Sequence, residues 1–407
     1  MDLSLNGANG MYKFKTLKDF DFKNKRVLLR VDFNLPIDEQ GNILNNWRIK
    51  KSLKTINYLL DQNVKLIIAT HFGRPQGEII EKLRVDKIAQ TLSEIIQKPV
   101  KKLDDVLGND VKLAIKEMKF GEIIMLENIQ FDPGEIKNSD DYAKKLADYA
   151  DIFVFDCFGQ AHRNYASIAG IQKFIPSCAG FIVQNEVENL NQVIKNPVQP
   201  FYAIIGGVKS DKIGVIELLM DRVDKFLIGG VLANTFLKAQ GVNIGFSKFD
   251  QKTLEFAKKI INTHADKIIL PEDLVVANKF DSQSKFEIID IKDIPAEKTI
   301  LDIGPQTITN YEEILTDAQT IVWAGTLGVF EWTNFSAGTR SIANFISNLK
   351  AVKIIGGGDT ASAIESLGLE EKMTHVSTGG GASLEFLAGN ELPALKALEK
   401  NYKKFNS

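Results

Sequence analysis

Apolar residues recur along this chain in short unbroken runs rather than at alternate positions. In the first half the runs are "RVLLRVDF" (26–33), "KLIIATHF" (65–72), "EIIMLEN" (122–128) and "DIFVFDCF" (151–158). In the second half they are "FYAIIGG" (201–207), "DKFLIGG" (224–230), "DKIIL" (266–270), "IVWAG" (321–325), "VKIIGG" (352–357) and "HVSTGG" (375–380). Unbroken apolar runs fit strands covered on both faces. Between them lie stretches such as "RIKKSLKTINYLLDQN" and "DKIGVIELLMDRV", whose apolar residues return every three or four positions, as on a helix. Strand–helix–strand repetition predicts an α/β fold with parallel, doubly wound, Rossmann-like sheets. A chain of 407 residues exceeds one comfortable core, so two domains are expected. The stretch 181–200 reads as a helix ended by Pro197 and Pro200. It is the candidate hinge between a first domain over 11–192 and a second from 193 onward. Residues 1–10 lack any such pattern and are set aside as a flexible lead-in.

Composition narrows the function classes. The formal net charge is −2, so no global field recruits nucleic acid or an anionic membrane. No apolar run is long enough to span a bilayer. The start has no apolar signal core, which points to the cytoplasm. Cys157 and Cys178 form no CxxC, which suggests buried reduced thiols. His71, His162, His264 and His375 show no metal-ligand spacing. Nothing in the sequence demands more than a monomer.

Two residue types divide unevenly. Arginine stands at 26, 30, 48, 74, 84 and 163, but only at 222 and 340 after residue 200. Of the 30 glycines, 11 precede residue 200 and 19 follow it, many of these just after a strand. Strand C-termini are where open α/β sheets bind ligands. Guanidinium forks hold phosphate bidentately, and bare backbone holds it through N–H groups at helix starts. "GGGDTA" (356–361) matches GxGxxA after a strand, the mark of a dinucleotide-binding dehydrogenase. No acidic residue ends a neighbouring strand about 20 residues on, as that unit requires. Asp359 can instead ligate Mg²⁺ beside nucleotide phosphates, or merely cap the next helix. In the first half, Asp32, Asn34, His71, Arg74 and Arg163 fall at or beyond strand ends, and Arg48 opens a helix. Together they suit a small compound with a carboxylate and a phosphate.

"RVDFNLP", "THFGRP", "AHRNYASIAGI", "FLKAQG", "IGGGDTASAI" and "HVSTGGGASLEFLAG" together resemble the phosphoglycerate kinase family, in order, over most of residues 12–400. The resemblance implies reversible phosphoryl transfer from 1,3-bisphosphoglycerate to ADP, giving 3-phosphoglycerate and ATP with Mg²⁺. It implies an N-terminal domain for the three-carbon substrate and a C-terminal domain for the nucleotide. The segment 391–407 would pack back on the N-terminal domain. By motif, Asp32, Asn34 and Arg48 would hold the glycerate end, and His71, Arg74 and Arg163 its remote phosphate. Lys209 and Lys212 would lie near the transferred phosphoryl and the nucleotide phosphates. Gly206, Gly207, Gly229 and Gly230 would floor the adenosine pocket, and Glu331 would reach the ribose. Asp359 would hold the metal. Gly357, Gly358 and Thr360 would flank the phosphates, with Thr378, Gly379 and Gly380 presenting a helix N-terminus. Arg48, Lys209 and backbone N–H groups such as that of Gly358 would carry the transition state. The sequence offers no Ser/His/Asp or Cys/His pair, and this chemistry needs none: both attacking groups are already anionic, and the demand is for charge and alignment.

The resemblance breaks at five places. Gln130 stands where the family has an arginine on the remote phosphate. A charged hydrogen bond contributes roughly 1.5–3 kcal/mol, so substrate binding should weaken. Lys209 and Lys212 are three apart, where the family spaces its lysines one residue further. Val231 replaces a third glycine, Ala324 and Thr326 replace the family's Asn and Pro, and Gln306 replaces a commonly charged residue. These departures leave a second reading open: a member that binds nucleotide with little or no transfer activity.

Overall fold

The structure, a computed structural model, describes residues 12–207 and 212–405. Residues 1–10, the expected lead-in, and Lys209 lie outside the described residues. The chain forms two compact units. The first runs to Glu188 and resumes at Glu391; the second is Asn189–Asn390.

The first unit holds six parallel strands: β1 (Arg26–Val31), β2 (Lys65–Ala69), β3 (Val100–Lys102), β4 (Ile123–Met125), β5 (Ile152–Asp156) and β6 (Ser177–Ala179). Their order across the sheet is β3-β4-β2-β1-β5-β6. β1 pairs in parallel register with β2 (Leu28 opposite Ile67) and with β5 (Leu28 opposite Phe153). Val27, Leu29, Leu66, Ile68 and Val154 pack into one buried cluster with Ile49, Ile56 and Leu59 of the helix Trp47–Asp61. Those three helix residues recur at helical spacing, so one stripe meets the sheet. Each fully buried large apolar side chain contributes roughly 1.5–3 kcal/mol.

The second unit repeats the plan. Its main sheet comprises β7 (Phe201–Ile205), β8 (Lys225–Ile228), β9 (Ile268–Ile269), β13 (Thr320–Ala324), β14 (Val352–Gly356) and β15 (His375–Val376), ordered β15-β14-β13-β7-β8-β9 and parallel. The sequence pattern did not anticipate the antiparallel sheet β11-β10-β12, built from β10 (Asp273–Ala277), β11 (Phe286–Asp290) and β12 (Thr299–Ile303). β11 is mostly exposed, so it lacks the buried run that marks the other strands. The expected connector forms the helix Phe181–Lys195, two residues short of Pro197, and the chain passes from the first unit to the second inside it.

The C-terminal helix Pro393–Phe405 belongs to the first unit. Asn401 fixes it there: Nδ2 donates to the carbonyls of Gln172 (2.6 Å) and Ile175 (2.8 Å), and Oδ1 accepts from Ser177 N–H (2.9 Å). Asn401 is buried, so losing its amide orphans groups that water cannot reach. Asn401→Ala should cost about 2–3 kcal/mol. The urea midpoint of the first unit should fall accordingly, and amide exchange at Ser177 should accelerate.

Candidate functional site

Parallel strands end on one edge, and β4, β2, β1 and β5 are adjacent in the first unit's sheet. The residues that follow them therefore converge. A cleft of about 490 Å³ is lined by Asn34 after β1, His71 and Arg74 after β2, Gln130 after β4, and Arg163 beyond β5. Gln76, Lys137, Gln160 and Tyr165 complete its polar wall, and among the described residues no carboxylate lines it. Of the sequence-derived candidates, Asp32 and Arg48 stand apart from this wall as an ion pair between Arg48 Nη1 and Asp32 Oδ2. Asn34 ties the two loops: its N–H donates to Asp32 Oδ1 (3.1 Å), and its Oδ1 accepts from Gly73 N–H (2.9 Å). Burial alone would raise the Asp32 carboxyl; Arg48, His71, the Asn34 N–H and Arg30 outweigh it and hold it below its ordinary value.

Sequence reasoning gave Arg30 no part in the site. It is fully buried on β1. Its Nε donates to Ser167 Oγ (2.9 Å), and Ser167 in turn donates Oγ–H (2.6 Å) and N–H (2.8 Å) to the buried Glu135. Its Nη2 lies 3.4 Å from His71 Nδ1. Guanidinium only donates, so Nδ1 must accept and the imidazole proton sits on Nε2. Burial, with Arg30, Arg48 and Arg163 nearby and only Asp32 opposing, lowers His71 to about 4. The signal in the sequence was a charge inside an apolar strand, which needs buried partners.

The second unit carries a cavity of about 280 Å³. Gly207, Gly230, Glu331 and Asp359 line it, as do Val231, Asn234, Leu274, Phe280, Asp302 and Thr326. Gly206 and Gly229 do not. A Cβ on Gly206 would collide with the Thr326 carbonyl, and one on Gly229 with Leu327, so both glycines serve close packing of the strand ends. The N–H groups of Gly206, Gly207, Gly229 and Gly230 all donate to neighbouring carbonyls, so none is left for phosphate.

Asp359 sits exposed in the first turn of the helix Gly358–Ser366, which follows β14 through Gly357 at φ +85°. A side chain on Gly358 would meet nothing within 4 Å, so packing does not demand glycine there, whereas Gly380 sits at φ +52°, where the backbone itself favours glycine. Thr360 is buried, and its Oγ1 accepts from Gly325 N–H (2.6 Å). Lys212 is buried against the Gly207 and Gly325 backbones rather than presented at the cavity. The Gly379 N–H donates to Ser377 Oγ (3.0 Å), and Thr378 and Gly379 do not line the cavity. Among the described residues no cluster of three or more His, Cys, Asp or Glu could hold a metal by itself. Asp359 alone fits a hard cation that arrives with phosphates, since Mg²⁺ takes one or two carboxylates and leaves the rest to substrate and water.

Comparison with known proteins follows this geometry. The sequence model described as phosphoglycerate kinase matches residues 17–390. The chain belongs to the phosphoglycerate kinase family. A phosphoglycerate kinase of Dictyoglomus turgidum is 47% identical over 94% of this chain and 98% of that protein. One of Pelotomaculum thermopropionicum is 45% identical over the same shares. The solved phosphoglycerate kinase of Coxiella burnetii superimposes with a TM-score of 0.85 at 38% identity, covering 96% of this chain and 100% of that one. That of Pyrococcus horikoshii gives 0.85 at 34%, over 96% and 100%. Among the described residues, no helix is long and apolar enough to cross a membrane.

Two buried groups give opposite pH dependences. The unfolded chain binds a proton at His71 near pH 6.5 and the folded one only near 4, so His71 costs stability as pH falls through that window. His71→Gln should flatten this acid loss, and the ¹⁵N shifts of His71 should report a neutral ring at pH 6. Burial raises Asp302 to about 7, against the N–H groups of Gly338, Ile303 and Ala337. Its contribution is present at low pH and is lost as pH rises from about 4 through 7. Asp302→Asn should remove that alkaline-side slope in urea midpoints measured between pH 4 and 8.

Proposed function

We propose that the protein catalyses reversible phosphoryl transfer from 1,3-bisphosphoglycerate to ADP, giving 3-phosphoglycerate and ATP. The observation that carries this reading is the first unit's cleft: arginines, a lysine and neutral donors line it, and among the described residues no carboxylate does. Such a wall suits a small phosphate-bearing anion. The second unit's cavity, apolar at Leu274 and Phe280 with Asp359 on its lining, suits a nucleoside with phosphates at the carboxylate. Membership of the family joins the two into one reaction.

In the forward direction an anionic phosphate oxygen of ADP attacks; in reverse a carboxylate does. Neither needs a base, so the protein's work is alignment and charge compensation. Arg74, Arg163, Gln130 and the His71 Nε2–H would hold the remote phosphate. Asp32 would accept from a substrate hydroxyl, and Arg48 would face the reacting carboxylate. The Gly358 N–H, in a helix's first turn without an intrahelical acceptor, would face the transferred group. Lys209 is assigned the same neighbourhood by its motif. Mg²⁺ bound at Asp359 would neutralise nucleotide phosphates. Transfer requires the two substrates to meet in line and out of water, so closure of the two units is part of the proposed mechanism. The reading takes one chain as the working unit, and two unpaired buried cysteines suit a reducing cytoplasm.

The burial of Lys212 and the neutral Gln130 favour the second reading, nucleotide binding without transfer. A coupled assay separates the two. Dehydrogenase-linked turnover of 3-phosphoglycerate with MgATP is expected. Arg163→Met should raise the KM for 3-phosphoglycerate by about tenfold or more, as loss of a charged hydrogen bond implies. ATP binding by calorimetry with no turnover at millimolar substrate would establish the second reading instead.

A further inference from the structure

The phosphate cleft of the first unit contains a cation that no motif assigned. Lys137 lines it beside Gln130, Gln76, Arg74 and Arg163. It follows the short helix Pro133–Ile136 as its C-cap. The segment around it is rich in carboxylates, yet each is engaged elsewhere. Asp132 accepts from Gly134 N–H (2.7 Å), and Glu135 is buried against Ser167. Asp140 pairs with Lys173 (2.6 Å) and Asp141 with Lys145 (2.6 Å). Lys137 itself is exposed and makes no ion pair among the described residues. A lysine in a carboxylate-rich segment that stays unpaired while lining an anion-suited cleft is poised for a ligand.

A phosphate ester carries close to two negative charges at neutral pH. His71 is neutral because burial and the surrounding arginines suppress its protonation. Gln76, Gln130 and Gln160 bring dipoles only, and the Arg48 charge is matched by Asp32. Full charge along the wall therefore comes from Arg74, Arg163 and Lys137.

We propose that Lys137 is a substrate-binding residue, its ammonium closing on the remote phosphate of the three-carbon substrate from the Gln130 side of the cleft. This rests on the kinase reading above. The flexible four-carbon stem suits a point-charge contact that forms on binding rather than a preset fork. Charge is what Lys137 would add where Gln130 is neutral, so the two positions should be coupled.

The test uses the full-length protein. Lys137→Met keeps length and removes charge, and because Lys137 is exposed the fold should not suffer. It should raise the KM for 3-phosphoglycerate about tenfold, with kcat and the KM for ATP within twofold of wild type. Lys137→Arg should stay near wild type. Added KCl should weaken 3-phosphoglycerate binding less in Lys137→Met than in wild type, since one ionic contact is gone. Gln130→Arg should lower the KM and shrink the penalty of Lys137→Met made in that background. A KM change below twofold in Lys137→Met, or an equal penalty in both backgrounds, overturns the proposal. Should the wild-type protein show no turnover, the kinase reading falls. Calorimetric titration with 3-phosphoglycerate then decides Lys137 separately: an affinity loss in Lys137→Met supports the contact, and equal affinity overturns it.

Discussion

The parallel run of the strands is the constraint from which both clefts follow. In each main sheet every strand points the same way, so every chain reversal from strand to helix falls on one edge. That edge gathers residues distant in sequence. Asn34, His71, Gln130 and Arg163 are spread over more than a hundred positions, yet they line one wall because β1, β2, β4 and β5 are neighbours. Hydrogen bonding fixes the neighbours and burial fixes the register. A one-residue slip in β1 would turn Leu29 out of its cluster and move Asp32 away from Arg48.

Arg30 shows how tightly the core and the site are joined. A guanidinium inside a sheet is costly unless every donor finds an acceptor. Here Ser167, the Val31 carbonyl and His71 accept from it, and Glu135 stands behind Ser167. Burial raises the Glu135 carboxyl while Arg30 and Ser167 draw it back. The same contacts that make the charge tolerable also set the tautomer of His71. The imidazole thus offers the cleft one N–H and no charge, and loss of Arg30 would disturb packing and recognition together.

Much of this was legible in the sequence. Unbroken apolar runs such as "RVLLRV" and "IVWAG" marked the central strands, because burial on both faces leaves no room for alternation. Some shorter or more exposed strands escaped notice. β3 is three residues of mixed polarity, and β11 is exposed along most of its length. Motif spacing pointed to Asp32, His71, Arg74, Arg163 and Asp359, each of which follows a strand. It could not say which polar side chains turn inward. Thr360 and Lys212 belong to such motifs, yet both are buried: Thr360 Oγ1 accepts from Gly325 N–H, and Lys212 lies near the Gly207 and Gly325 backbones. Lys137 was invisible for the converse reason. It lies in an ordinary charged stretch, and only the pairing of its carboxylate neighbours elsewhere sets it apart.

The glycines of the second unit do two different jobs that the sequence writes in one letter. At 206 and 229 a side chain would strike the loop after β13, so glycine lets three strand ends close on one another. Their N–H groups, and those of Gly207 and Gly230, are spent on that closure. At 358 and 380 a side chain would meet open space, so packing does not require glycine there. Of the first four, only Gly207 and Gly230 line the second unit's cavity. Gly358 is exposed next to Asp359 in the chain, whereas Gly380 sits at φ +52°, a backbone conformation that itself favours glycine. One residue type thus stands in different settings along one sheet edge, and only the surroundings of each glycine tell them apart.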